Sequence, residues 1–319
     1  MTKTTLHKLL LGWLPVEWQD TIGTWHRYHL HGNKGTGNAI IARVDGSTFH
    51  GGLADRWKGI VSLYAFAKAT GREFRIDYTF PFELTEFQIP ASYDWRLQEG
   101  ELSDRVSRVC LKRVTAQPTF DRMTRLPHDK QIHCYANRDW VEAINQQFHT
   151  SYTWGGLFNE LFLPSQRLLK AMENYRPKLG DTYIAVAFRL QNLFGDFKEY
   201  DYEPATPARQ QEILNLCRSY LQALHRRTQK PILVTSDSQR FTQEIAELPF
   251  IICTNGKAAH ADTLRNAPDE QYLKSFVDFY LLSSAQEIYC AGTEEMYPSE
   301  FPLYAAKVNN RPFYRERLS

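Results

Sequence analysis

Cysteine is scarce and scattered in this chain: five residues among 319, at positions 110, 134, 217, 253 and 290, with no CxxC pair. An odd and dispersed set argues against a disulfide framework or a zinc knuckle, and fits a reducing, cytoplasmic setting. An excess of one charge is missing as well. Thirty-eight Lys+Arg face 36 Asp+Glu, for a formal net charge of +2, so a basic nucleic-acid-binding face is not expected. A membrane-spanning run is also lacking: the apolar stretch from Leu9 to Val16 is short and broken by Gly12 and Pro15. Trp13, Trp18 and Trp25 fit either peripheral anchoring at a membrane surface, on its inner face for a cytoplasmic protein, or packing of an irregular N-terminal segment. There is no low-complexity segment and no internal repeat. Hydrophobic residues at 43% and charged residues at 23% are ordinary for a globular chain whose length predicts two domains.

What is present begins with one unit of local structure. Ala39 to Val44 is a compact apolar run, His50-Gly51-Gly52 is a glycine turn, and Trp57, Ile60, Val61, Tyr64 and Ala67 repeat at helical spacing. Gly71 stops that helix, and Arg72 to Tyr78 starts a second strand. A strand, Gly turn, helix and strand in succession let backbone N–H groups approach a phosphate, or simply make a tight connection. Strands at Ser107 to Val114 and Gln131 to Ala136 and a helix at Arg138 to Gln147 follow. An aromatic loop runs from Tyr152 to Phe158, and a helix begins near Pro164-Ser165. Asn174 to Gly180 reads as a linker, which gives an N-terminal domain over 1–175 and a C-terminal domain over 176–319.

In the second half the alternation is regular. Apolar runs at Tyr183 to Phe188, Pro231 to Thr235, Phe250 to Thr254 and Glu287 to Cys290 are separated by helical stretches at Thr206 to Thr228, Gln239 to Glu247 and Asp269 to Ser284, with a last helix at Ser299 to Lys307. Such spacing indicates parallel strands joined by helical crossovers, hence an α/β chain of two Rossmann-like domains. Parallel sheets bind ligands beyond the carboxyl ends of their strands. Those ends carry Arg189, Ser236-Asp237-Ser238, Asn255-Gly256-Lys257 and Gly292-Thr293. Arg189 leaves a wholly apolar strand with a rigid fork of donors, suited to a phosphate or to a salt bridge with Asp196, Glu199 or Asp237. Tyr152, Trp154 and Phe158 fit either stacking on an acceptor sugar or core packing. His260-Ala261-Asp262 fits either a sugar contact or local pairing. His26, His29, His31 and His50 lack the carboxylates or cysteines that would complete a metal site, so no metal is expected.

The segment GGLADRWKGIVSLYAFAKATGREFRI resembles the N-terminal motif of the GDP-fucose-dependent fucosyltransferases, which include α1,2-, α1,6-, protein O- and Nod-factor enzymes. Ala187-Phe188-Arg189-Leu190 is similar to that family's His-x-Arg motif, with Ala187 in place of the His and Leu190 in place of the second Arg of its His-x-Arg-Arg form. Phe162-Leu163-Pro164-Ser165, the Ser236-Asp237-Ser238 turn, and Asp278 to Ala285 leading to Cys290 to Thr293 resemble three further motifs. The likeness covers most of residues 39–310.

The resemblance implies a GT-B arrangement, two Rossmann-like domains facing across a cleft, and an inverting, metal-independent transfer of fucose from GDP-fucose to a glycan or glycolipid hydroxyl. Another nucleotide sugar as donor, or a non-catalytic glycan- or partner-binding relative, stand as alternatives. By the same likeness Arg189 neutralises the departing β-phosphate. Ser236, Ser238, Asp278, Ser283, Ser284, Gly292 and Thr293 line the nucleotide, and Asp237 contacts ribose or guanine. Gly51, Gly52 and Asp55 form the opposing wall. Asp55, Asp196 and Glu199 are the carboxylates from which a proton acceptor is drawn.

Overall fold

A computed structural model describes residues 13, 15–115, 118–197, 203–256 and 269–319. Glu199, Lys257 and the His260 to Asp262 group lie outside the described residues. The chain divides into two compact units. The first comprises Met1–Gly51, Asp55–Glu83 and Pro90–Leu161, and the second Gly52–Ala54, Leu84–Ile89 and Phe162–Ser319.

The first unit contains helices α1 (Val16–Arg27), α2 (Leu53–Thr70), α3 (Pro118–Met123), α4 (Val141–Phe148) and α5 (Trp154–Leu161), and strands β1 (Ala39–Val44) and β2 (Glu73–Tyr78). The short strand β3 (Gln88–Pro90) comes next in the chain but begins in the second unit, and β4 (Val109–Val114) and β5 (Gln131–Ala136) return to the first. The sheet order is β2-β1-β5-β4, and every pairing in it is parallel. β1 lies inside the sheet, and its first four residues are all at most 1% exposed. That is why it reads as an unbroken apolar run rather than an alternating one. The helix read between the glycine turn and Gly71 is α2, and Trp57, Ile60, Val61, Tyr64 and Ala67 all lie in the core. Gly71 adopts φ +65°, the left-handed conformation that ends a helix without a Cβ penalty.

The second unit opens with β6 (Phe162–Pro164), which pairs with β3. Helices α6 (Gln166–Glu173), α7 (Arg176–Leu179), α8 (Pro207–Thr228), α9 (Gln239–Ile245), α10 (Asp269–Ser284) and α11 (Phe301–Val308) follow in order. Its sheet is built from β7 (Ile184–Phe188), β8 (Ile232–Ser236), β9 (Ile251–Cys253), β10 (Ile288–Gly292) and β11 (Phe313–Arg317), in the order β11-β10-β7-β8-β9, again all parallel. β7 and β8 occupy the middle and are buried throughout, packed against Ile213, Leu214, Cys217 and Leu221 of α8.

Three local expectations are corrected. The aromatic stretch Tyr152 to Phe158 is largely the helix α5, because Trp154, Leu157, Phe158 and Leu161 share one buried face. The segment 174–180 carries the helical turn α7 instead of an open linker, and α6 before it packs with α10 in the second unit. β11 adds a fifth strand. All five cysteines are free thiols, and burial pushes Cys217 and Cys253 up to about 12, which leaves them protonated and inert.

Inside the first unit His133 is buried, with Nδ1 facing the Tyr28 hydroxyl at 2.7 Å and Nε2 facing Gln131 Oε1 at 2.9 Å. Gln131 Oε1 can only accept, so Nε2 carries the proton and Tyr28 donates to Nδ1. Burial holds the imidazole well below its ordinary 6.5, and the charges of Arg43 and Arg27 lower it further. The unfolded chain therefore binds a proton that the folded chain excludes. Stability from this group is complete above about pH 6.5 and declines as pH falls below it, by at most ~1.4 kcal/mol per pH unit. A His133→Gln variant is expected to show a flatter pH dependence of its urea midpoint over that acid range. Parallel wild-type and variant curves would contradict this assignment.

Candidate functional site

The carboxyl ends of β7 and β8 meet at one side chain. Asp237, whose carboxylate is 2% exposed, follows β8. It accepts from the Leu190 N–H at 2.8 Å and the Gln191 N–H at 2.6 Å, and from Ser236 Oγ at 3.2 Å, and it pairs with Arg189 Nη1 at 3.1 Å. Gln191 takes φ 52°, so the chain leaving β7 reverses through a left-handed residue pinned by two bonds to one carboxylate. Burial pushes the Asp237 carboxyl upward, against the pull of Arg189 and the two N–H groups.

This corrects the expectation that Asp237 contacts ribose or guanine. Its oxygens are taken by protein groups, and it serves to hold Arg189 in place. The Arg189 guanidinium carbon sits 4.8 Å from the centre of the Phe197 ring, and 21% of the side chain remains exposed. A guanidinium fixed by a carboxylate on one edge and a ring on one face keeps N–H groups in a set direction, the arrangement that suits a phosphate.

The neighbouring serines bond within the protein. Ser236 Oγ accepts from the Ser238 N–H at 3.2 Å, and Ser238 Oγ caps α9 by accepting from the Phe241 N–H at 3.1 Å. Asp196 Oδ2 accepts from the Arg240 N–H at 2.8 Å, which ties the loop after β7 to the first turn of α9. Its Oδ1 is buried with no hydrogen-bond partner among the described residues. At the end of β10 the Gly292 carbonyl accepts from the Leu318 N–H at 3.0 Å, and Thr293 Oγ1 donates to Glu295 at 3.3 Å. Near β9, Asp278 is buried with Lys274 Nζ at 2.5 Å and the Thr254 hydroxyl against its other oxygen.

Ser283 and Ser284 are a clear correction. Both hydroxyls donate to the Tyr280 carbonyl at 2.9 Å, at the carboxyl end of α10. Two residues on, the Gln286 N–H donates to the carbonyl of Tyr183, the residue before β7 begins. A crossover helix runs opposite to its strands, so its end lies at the amino edge of the sheet, a full strand length from Arg189. These serines do not join the Arg189 site.

In the first unit Gly51 needs its φ of +79°, and a Cβ there would meet Asp55 Oδ2 at 2.7 Å. The Gly51 carbonyl accepts from Arg56 Nε at 3.1 Å. Arg56 is fully buried, and its Nη1 donates to the Tyr78 hydroxyl and the Phe80 carbonyl at 2.9 and 2.7 Å. The glycine turn is thus strapped to the end of β2. Gly52 follows at the start of α2, and Asp55 pairs with Lys58 at 2.6 Å. The aromatic acceptor platform is corrected too. Trp154 and Phe158 stack on one another at 5.1 Å inside the core, 5% and 0% exposed, and Tyr152 lies beneath Lys68 at 5.3 Å. A sugar ring cannot reach the first two.

One cluster escaped the sequence reading. At the carboxyl ends of β1, β2 and β5, Asp45 accepts from Arg43 at 2.8 Å, from the Tyr135 hydroxyl at 2.7 Å and from Ser47 Oγ at 2.5 Å, while Arg43 Nε reaches Asp77 at 2.8 Å. Burial works to raise the Asp45 carboxyl, but the Ser47 and Tyr135 hydrogen bonds and the Arg43 charge hold it well below the usual carboxylate range. A charge at the end of an apolar run, as in Arg43 after Ala39 to Ala42, was the available signal. No three His, Cys, Asp or Glu side chains among the described residues come together as a metal-binding group.

No protein-family model matches the chain, and comparison of its sequence with curated proteins finds no relative. Solved structures do match. A variant of Arabidopsis thaliana FUT1 in complex with GDP superposes with a TM-score of 0.56 at 12% identity, over 97% of this chain and 76% of that one. NodZ α-1,6-fucosyltransferase soaked with GDP-fucose gives 0.51 at 15% identity, over 85% and 92%. Fucosyltransferase NodZ from Bradyrhizobium gives 0.51 at 14% identity, over 84% and 92%. The chain has the fold of these proteins, two Rossmann-like α/β units with parallel sheets.

Proposed function

We propose that this protein is an inverting, metal-independent glycosyltransferase that moves fucose from GDP-fucose to a glycan or glycolipid hydroxyl. Arg189 carries the reading: a charged fork held at the carboxyl end of the central strand by Asp237, on a fold similar to that of proteins solved with GDP or GDP-fucose. As the bond between the fucose C1 and the β-phosphate oxygen breaks, negative charge accumulates on GDP. A fixed guanidinium stabilises that charge more than it stabilises the intact donor, which is the service a divalent cation gives elsewhere. The acceptor oxygen attacks C1 from the opposite face, and its proton passes to a carboxylate. Asp196 and Glu199, which follow Arg189 closely in the sequence, are the proposed acceptors of that proton. A cytoplasmic setting belongs to the same reading and rests on the free thiols.

Ala187 and Leu190 are buried, 8% and 0% exposed, so neither position supplies a second polar ligand beside Arg189. That observation favours the alternatives of a different donor or a non-catalytic relative. Both are separated from the main reading by thermal melts. With chelator present, GDP at 100 times its Kd is expected to stabilise the fold by about 2.7 kcal/mol, and UDP at the same concentration is expected to do far less. Equal shifts would favour another nucleotide sugar. No shift with either nucleotide, and no GDP released from GDP-fucose, would exclude the transferase.

A further inference from the structure

β4 is the outermost strand of the first sheet, and α1 runs along its open edge. Thr24 Oγ1 accepts from the Leu111 N–H at 3.3 Å, and Asp20 accepts from the Arg113 N–H at 3.5 Å and from Arg113 Nε at 3.0 Å. Gly23 lies on the same face, where a Cβ would stand 3.0 Å from Leu111 Cδ2. The edge strand is thereby covered, which removes a template for unwanted pairing. Since Asp20, Gly23 and Thr24 point inward, the helical period turns Trp18 and Trp25 outward. They are 62% and 64% exposed, and Leu30 beyond the helix is 63% exposed. Among the described residues, neither Trp18 nor Trp25 is buried in the core.

Beneath that aromatic face lies a cavity of about 580 Å³ between α1 and β4. Arg105, Lys112 and Lys130 line it together with Trp25, Leu30 and Thr21. None of the three cations forms an ion pair among the described residues. The acids near them are engaged elsewhere, Asp20 with Arg113 and Asp129 with Arg108 at 3.0 Å. The Nε of Arg105 is buried and has no hydrogen-bond acceptor among the described residues.

We propose that the α1–β4 edge is a membrane-docking site that seats the phosphate headgroup of an anionic lipid. Arg105, Lys112 and Lys130 receive the phosphate, while Trp18, Trp25 and Leu30 enter the interfacial zone, where an indole keeps its ring among acyl chains and its N–H among headgroups. Charge complementarity selects a lipid phosphate over a neutral partner, and the exposed indoles select a bilayer surface over a freely dissolved phosphate.

The test uses the full chain and sedimentation with phosphatidylcholine vesicles, with and without phosphatidylglycerol. Binding is expected to require phosphatidylglycerol and to shift tryptophan fluorescence to the blue. With about fivefold lost per neutralised charge, the triple Arg105→Gln, Lys112→Gln, Lys130→Gln variant is expected to bind roughly 100-fold more weakly. Trp18→Ser with Trp25→Ser is expected to abolish the blue shift. Should the triple variant not fold, Lys130→Glu alone, on the turn before β5, carries the same prediction at roughly 20-fold. The response to GDP should be unchanged in all of these, which separates a failure here from a failure of the proposed activity. Three results would each overturn the proposal: no binding to anionic vesicles, binding indifferent to these substitutions, or stabilisation by inorganic phosphate without any vesicle binding.

Discussion

Arg189→Ala is expected to lower the rate of transfer from GDP-fucose by about 100- to 1000-fold, the loss typical when a fixed donor to a developing anion is removed. The stabilisation of the fold by GDP should disappear with it. Arg189→Lys separates charge from shape: an ammonium keeps the charge but loses the fork and the flat face that rests on Phe197, so an intermediate rate is expected. The fold itself should survive, because Asp237 keeps its bonds from the Leu190 and Gln191 N–H groups. Initial rates and GDP melts on the three proteins are the measurement. An alanine variant that works within a few-fold of wild type would remove Arg189 from the reaction.

Gly59→Ala is expected to destabilise the protein by about 3 kcal/mol, the upper part of the usual overpacking range. Helix propensity alone argues the other way, since alanine in place of glycine favours a helix interior by ~1 kcal/mol. The structure decides between them. A Cβ at Gly59 would sit 1.9 Å from the carbonyl oxygen of Ala136, the last residue of β5. Backbone at the end of a buried parallel strand cannot rotate away as a side chain would, so α2 must lift from the sheet or the strand end must shift. Urea unfolding reads the effect directly, and a variant as stable as wild type would show that the helix has room to move.

Gly59 also marks how far the sequence was legible. The face of α2 was plain from Trp57, Ile60, Val61, Tyr64 and Ala67, because burial repeats at helical spacing. The close approach of Ala136 was hidden, since it depends on a residue far along the chain. The strands of the second unit were legible for a similar reason: in a sheet covered on both faces they are short continuous apolar runs. β11 was missed because Phe-Tyr-Arg-Glu-Arg is an edge strand, exposed on much of its length, and its composition resembles a loop. At the site, Arg189 was marked by its departure from an apolar strand, and Asp237 was among the three carboxylates read as its salt-bridge partner, whereas the hold of Asp237 on the turn after β7 was invisible. Its partners are backbone N–H groups 46 and 47 residues away, and no motif records a backbone partner. Ser283 and Ser284 were misjudged for a different reason. The likeness of Asp278 to Ala285 to a fucosyltransferase motif suggested phosphates, but the direction of α10 carries them to the far edge of the sheet.

The assignment of residues 84–89 to the second unit bears on how the chain is made. Phe87 stacks on Phe276 with ring centres 4.5 Å apart, and Gln88 Nε2 donates to the Tyr280 hydroxyl at 2.8 Å across 192 residues. During vectorial synthesis Phe87 and Gln88 emerge long before the helix on which they pack, so these two contacts cannot form until most of the polypeptide has been translated. The converse holds for a fragment begun at Phe162. It would contain every strand of the five-stranded sheet, yet lose the Phe87 ring that stacks on Phe276 and the bond from Gln88 to the Tyr280 hydroxyl. Severing the chain at one point cannot give two self-sufficient pieces.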